Sequence, residues 1–329
     1  MPRDRYGREI DYLRISLTDR CNLRCVYCMS LSEPRFAAGD DLLDADEIAR
    51  VASAAAAVGF RKVRLTGGEP TLRSDLVEIV SRVAATPGIA DVAMTTNGIL
   101  LPRLAPALKR AGLRRVNVHV DSLDRERLSK VMRWARFDEV WAGIEAAERA
   151  GLVPIKLNCV VTRGFNDQDV VELARLTVER PWHVRFIELM PLGAGECADV
   201  ARERWVPSAE TRARIEEALG PLRALEPTHA ADESRNYSVA GAAGVIGFIS
   251  PVSEPYCGTC NRMRLTSDGR FHLCLLNDDE LDVRAALRRG AGSDEISEIL
   301  LRAVAGKPTG HALDLGRTTS ERWMHHLGG

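Results

Sequence analysis

The chain has 329 residues, 45% of them hydrophobic and 28% charged, enough for one large α/β domain or two ordinary ones. A formal net charge of −1 gives no global basic field for nucleic acid, although an average over the surface still permits a local cationic pocket. The longest apolar runs, such as 51–60, fall short of a membrane span. The first residues lack the hydrophobic core of a signal peptide. The expectation is a cytoplasmic protein that engages neither membrane nor nucleic acid.

Short β-branched runs alternate with longer amphipathic segments over the first two-thirds. Strands are expected at 13–17, 62–66, 92–95, 115–120, 154–161 and 183–188. Helices are expected between them at 45–58, 74–85, 102–111, 137–150 and 167–178. Asp44 with Glu47 three residues on reads as a capping box, and Gly59, Gly112 and Gly151 follow the last apolar positions of their helices. Six successive β-then-α units imply parallel strands joined by crossover helices. Periodicity does not choose between an open doubly wound sheet and a barrel or partial barrel. After residue 188 the pattern breaks into turn-rich stretches, an expected exposed loop at 226–233, short strands at 245–250 and 263–266, and a helix at 294–304. A boundary near 225 separates 1–225 from 226–329.

Six of the eight cysteines fall in two tight groups, which in a large chain of a reducing compartment favours metal or redox chemistry over disulfides. Cys21, Cys25 and Cys28 have the spacing CxxxCxxC directly after the first strand. Three thiolates can hold three irons of a cubane and leave the fourth without a protein ligand, open to a substrate or cofactor. Structural zinc wants four ligands, and no histidine is near in sequence. Cys257, Cys260 and Cys274 form a second trio, where His272 could complete a zinc site and keeps that alternative open. Cys159 is expected to be a buried packing thiol, and Cys197 a loop residue without a role.

Parallel strands covered on both faces should be apolar, yet Arg14, Arg64, Lys156 and Arg185 lie in or at the ends of four expected strands. A buried cation is costly without a partner. For any one of them a local ion pair is as good an explanation. Four cations on different strands point together to an anionic ligand, and a triphosphate is the natural partner for forked arginine contacts.

The CxxxCxxC loop, with Tyr27 before its third cysteine and Gly67, Gly68, Glu69 and Pro70 after the second strand, resembles the radical S-adenosylmethionine (SAM) superfamily. The block from Tyr256 to Cys274 is similar to that of the GTP 3′,8-cyclase family, which opens molybdenum cofactor synthesis. The likeness runs from Arg14 to Gly328 and Gly329. It implies a partial (β/α)6 TIM-like barrel, residues 1–225, with a smaller C-terminal iron–sulfur domain, residues 226–329, closing the barrel mouth. It implies two [4Fe-4S] clusters: Cys21, Cys25 and Cys28 leave an iron for SAM, and Cys257, Cys260 and Cys274 leave one for guanine.

By the same resemblance, Arg14, Arg64, Thr95, Lys156, Arg262, Met263 and Arg264 match GTP-contacting positions. Tyr27, Gly68 and Met190 match SAM-contacting positions. His119 stands where the family has serine; it is carried as a SAM contact, with a purely structural histidine equally open. Gly328 and Gly329 would thread into the active site as a side-chain-free tail. The activity implied is SAM cleavage to a 5′-deoxyadenosyl radical and cyclisation of GTP to 3′,8-cyclo-7,8-dihydro-GTP. It needs an external one-electron reductant and a handover of product to cyclic pyranopterin monophosphate synthase; a homodimer is one option for its assembly. The competing functions are a radical SAM enzyme acting on a peptide and an electron-transfer iron–sulfur protein.

Overall fold

The computed structural model describes residues 1–31, 36–192, 195–311, 313 and 322–328. The first two-thirds alternate as expected: β1 (Tyr12–Ser16), α1 (Ala45–Ala57), β2 (Lys62–Thr66), α2 (Leu76–Ala84), β3 (Asp91–Thr96), α3 (Leu101–Arg110), β4 (Arg115–His119), α4 (Arg125–Val131), α5 (Phe137–Arg149), β5 (Lys156–Val161), α6 (Val170–Glu179) and β6 (His183–Glu188). Local chemistry sets these ends. Asp44 accepts from the Glu47 amide while Glu47 accepts from the Asp44 amide, the reciprocal capping box, a contribution of about 1 kcal/mol. Gly59, Gly112 and Gly151 take positive φ just past their helices, where other residues would be strained.

The remainder forms α7 (Glu196–Glu203), α8 (Ser208–Leu219), β7 (Arg223–Ala224), β8 (Arg235–Ser238), β9 (Val245–Ile249), β10 (Arg262–Leu265), β11 (Arg270–His272), β12 (Glu280–Asp282), α9 (Arg284–Arg288), α10 (Ser293–Ala305) and α11 (Met324–Leu327). Cys197 therefore sits buried on α7 and not in a loop. All the strands join one open sheet in the order β12-β11-β10-β1-β2-β3-β4-β5-β6-β9-β8-β7. The run β10 to β9 is parallel throughout, a curved partial barrel whose two edges are supplied by the C-terminal part of the chain. Helices pack on one face over a core that includes Leu13, Ile15, Val63, Leu65, Val116, Val118, Val184 and Phe186. Among the described residues no helix is long and apolar enough to cross a membrane.

Candidate active site

Strand register builds the site. Arg14 lies opposite Arg64 of β2 on one side and opposite Arg264 of β10 on the other. Side chains alternate across a strand, so these three arginines share the face away from the helices. Thr95, Asn117 and Lys156 form a second row across β3, β4 and β5. Arg14, Arg64, Thr95, Arg185, Arg262 and Arg264 line a cavity of about 200 Å³. Met263 is fully buried in the core on the opposite side of β10, so its side chain is not brought to the cavity. Lys156 does not line the cavity either, but it shares the field of Arg185, Arg115 and Arg64, and burial first, then those charges, bring its pKa down to about 7.

The cations are only partly matched. Glu233 accepts from Arg262 Nη1 at 2.7 Å and from Arg14 Nη2 at 3.1 Å, with Arg64 Nη1 4.0 Å away. Burial opposes charge on Glu233, but Arg14, Arg262, Arg64 and Arg185 outweigh it and hold its carboxyl well below the usual carboxylate range. The sequence had placed Glu233 at the end of an exposed loop; residues 225–230 are exposed, but Glu233 turns inward. Buried donors remain without a partner: Arg14 Nε, Arg64 Nε, Arg185 Nε and Nη1, and Arg262 Nη2, with Thr95 Oγ1 beside them. Burial and like charges depress Arg185 to about 10 and Arg264 to about 9.

Cys21, Cys25 and Cys28, with Tyr27, Gly68, His119 and Met190, line the same cavity. The strand end after β2 braces the cysteine loop: the Gly68 amide donates to Thr18 O at 2.6 Å and the Glu69 amide to Arg20 O at 2.8 Å. A Cβ on Gly67 would come 2.5 Å from Thr18 O, and one on Gly68 2.3 Å from Arg20 O. These glycines are thus required by the backbone of the cysteine loop itself. Glu69, buried and with its pKa raised by that burial, accepts from Thr71, Thr96 Oγ1 and the Asn97 amide, and so ties β2 to β3 beneath the loop. His119 lies against the Tyr27 hydroxyl and 3.0 Å from Asp121, to which Tyr27 donates at 2.6 Å. It is both hydrogen-bonded and open to the cavity.

Cys257, Cys260 and Cys274 line an adjoining cavity of about 70 Å³. Met190, Tyr256, Arg262, Arg264 and Leu275 line both cavities and so form their common wall. Two cations absent from the sequence-based candidates hold this second trio. Lys307, buried, donates to Arg262 O at 2.7 Å and Leu273 O at 2.8 Å, tying the Cys260 arm to the Cys274 arm. Arg8 donates to Cys257 O at 2.7 Å and to Pro308 O and Thr309 O, and is neutralised by Asp4. His272 is engaged with Glu280 at 3.1 Å and does not line the second cavity.

The donors fit iron–sulfur clusters. All six cysteines are free and partly accessible. Among the described residues no group of three ligand side chains is arranged to hold a single metal ion, and each trio lines a cavity. Cys159 is buried against Asp121 O and Asn166.

The described end of the tail reaches the arginine row at Arg264. Arg264 Nη1 donates to Gly328 O at 2.9 Å. Gly328 has φ of 69°, and a Cβ there would lie 2.2 Å from Thr66 Cγ2. His325 and Leu327 are buried, and Met324 lines the main cavity. Gly329 lies outside the described residues.

Residues 15–177 match the Radical SAM superfamily, and residues 182–313 match Molybdenum Cofactor Synthesis C. A GTP 3′,8-cyclase of Pelotomaculum thermopropionicum is 47% identical over 99% of both chains. That of Moorella thermoacetica is 44% identical, and that of Heliobacterium modesticaldum 46% identical, each again over 99% of both chains. Among solved structures, SuiB of Streptococcus suis bound to its precursor peptide SuiA superposes with a TM-score of 0.65 at 15% identity, covering 92% of this chain and 66% of that one. SuiB bound to S-adenosylmethionine gives a TM-score of 0.61 at 15% identity, covering 88% and 68%. These last two establish the fold alone. The chain belongs to the GTP 3′,8-cyclase family of radical SAM enzymes.

Proposed function

We propose that the two joined cavities carry out the reaction for which the family is named, with GTP seated on the strand cations and SAM at the cysteine loop. The carrying observation is the row of Arg64, Arg14 and Arg264 across three adjacent strands, next to Arg262 and Arg185, with buried donors left unpaired around one carboxylate. Such a cluster is costly unless a polyanion completes it. Thr95 Oγ1 extends the seat along β3, and Lys156 on β5 adds its charge from beyond the cavity wall.

Cys21, Cys25 and Cys28 would hold the first cluster, with Tyr27, Gly68, His119 and Met190 placing SAM against it. Cys257, Cys260 and Cys274 would hold the second, on the far side of the wall made by Arg262 and Arg264. When bound, the first cluster and SAM supply the 5′-deoxyadenosyl radical that takes hydrogen from ribose C3′ before ring closure to guanine C8. The protein's share is position. Its cations fix the triphosphate, the common wall keeps ribose and base between the two cavities, and Gly328 closes the space where a side chain would not fit. Holding the reacting atoms in near-attack geometry contributes several orders of magnitude in rate.

Residues 1–225 then serve SAM and much of the triphosphate seat, and residues 226–329 the second cluster, the base and the seat's Arg262 and Arg264. An external one-electron donor charges the first site, in a cytoplasm reducing enough to keep the thiols free, and the product passes to cyclic pyranopterin monophosphate synthase. A test is anaerobic reconstitution followed by SAM, dithionite and GTP. Formation of 5′-deoxyadenosine in step with loss of GTP is expected. Formation of 5′-deoxyadenosine that is indifferent to GTP would refute the assignment.

A further inference from the structure

The triphosphate seat already contains an anion. Glu233 uses Arg262 Nη1 and Arg14 Nη2, and faces Arg64, three of the arginines assigned above to the substrate. Among the described residues no other carboxylate pairs with any of these three. A phosphate group and Glu233 cannot both occupy the same guanidinium donors.

We propose that Glu233 is a tethered competitor that fills the anion seat of the free enzyme, is expelled by the triphosphate of GTP, and thereby determines which anions can occupy the site. The proposal rests on the reading that the strand cations bind GTP. An ordinary structural ion pair accounts less well for the surroundings. One carboxylate faces four arginines, and several of their donors stay unpaired with Glu233 in place. The side chain is only 12% exposed, yet it lies just past the exposed stretch 225–230 and next to exposed Asp232, ahead of β8, on a short connection that lets the carboxylate turn outward. A triphosphate brings about three to four negative charges against one and reaches the donors that Glu233 leaves free.

The consequence is quantitative. A ligand that must displace an internal competitor binds more weakly by the fraction of time the seat is open, and a short tether supplies an effective concentration in the millimolar range. A seat open about one-tenth of the time weakens an anion confined to the donors Glu233 holds about tenfold, whereas a triphosphate that also reaches the donors left free loses less. Inorganic phosphate, which gains little from the distant cations, is then kept out at concentrations where it would otherwise compete with GTP. Glu233 thus acts as a specificity-determining residue for a polyanion.

The test uses the cluster-loaded enzyme under anaerobic conditions. Calorimetry should show Glu233→Gln, which keeps the shape and removes the charge, binding inorganic phosphate about tenfold more tightly than the unaltered enzyme, and GTP and inorganic tripolyphosphate more tightly by a smaller factor. Inorganic phosphate should inhibit the variant at concentrations that leave the unaltered enzyme unaffected. In the unaltered enzyme, tripolyphosphate should speed hydrogen exchange of the amides at 231–235 as the tether is released; this arm stands even if the variant does not fold. Equal or weaker binding by Glu233→Gln, or unchanged or slower exchange at 231–235 with tripolyphosphate bound, overturns the proposal. Weaker GTP binding with tripolyphosphate unchanged would make Glu233 a contact of the nucleoside and also overturns it. Failure of the parent reading looks different: neither ligand would then lose affinity in Arg64→Ala.

Discussion

The two cysteine trios offer the same donors in different electrical settings. Around the first lie carboxylates: burial raises Cys21 to about 11, with Glu69 adding to it, and burial together with the neighbouring thiols and Asp121 raises Cys25 and Cys28 further. Around the second lie cations. Burial alone would raise Cys260, but Arg262 and Lys307 outweigh it and bring the thiol down to about 6, whereas burial keeps Cys274 raised. The architecture differs in the same sense. The first trio is one continuous loop clamped by the end of β2, whereas the second is assembled from two separated arms tied by Lys307, with Arg8 holding Cys257 to residues 308 and 309. The second trio shares its cavity with Lys307, Arg8, Arg262 and Arg264.

This contrast can be broken most completely by removing one trio at a time. Replacing Cys21, Cys25 and Cys28 by Ala should abolish 5′-deoxyadenosine formation, while replacing Cys257, Cys260 and Cys274 should leave SAM cleavage detectable and abolish GTP cyclisation. In either variant, iron per chain should drop from about eight to about four. Loss of SAM cleavage from both would show that the sites are not separable.

The tail is the next largest. Gly328→Val places a side chain on Thr66 in a left-handed backbone position, and strain of about 1–3 kcal/mol should expel the tail. Turnover should fall about 100-fold or more with iron content unchanged. Full activity would remove the tail from the site.

Arg64→Ala should weaken GTP by about 10–100-fold, as expected for charged hydrogen bonds of about 1.5–3 kcal/mol, and leave SAM affinity unchanged. An effect on SAM alone would reverse the division of the cavity.

The smallest effect is a pH dependence. Free Lys156, depressed to about 7, loses its proton as pH rises through that value, whereas a bound triphosphate holds the proton on. Binding therefore takes up a proton, and GTP affinity should fall above pH 7 by up to about tenfold per pH unit. Calorimetry at pH 8 in two buffers of different ionisation enthalpy would detect the uptake; equal heats would exclude Lys156 from the seat.

Much of this was written in the local sequence. The six β/α units and their caps follow from period and punctuation, because apolar strands, Asp44 and the C-terminal glycines act over a few residues. Both cysteine trios were legible from spacing. Alternation along β10 could have shown that Met263 faces away from Arg262 and Arg264. Glu233 was misread because a polar loop looks the same whether its last side chain points to solvent or into a cavity. The signal that could have found it is indirect: several strand cations with no strand carboxylate to match them. Lys307 and Arg8 act through backbone carbonyls at long sequence separation, which leaves no local trace. Gly68 was expected to contact SAM; that the backbone of the cysteine loop also excludes a side chain there left no trace in the sequence.

The most direct test of a shared wall between two distinct sites is electron paramagnetic resonance of the reduced, cluster-loaded enzyme, titrated separately with SAM and with GTP. SAM should perturb only the signal that disappears when Cys21, Cys25 and Cys28 are replaced, and GTP only the signal that disappears with Cys257, Cys260 and Cys274. A GTP response confined to the first signal, or absent from both, would contradict the account.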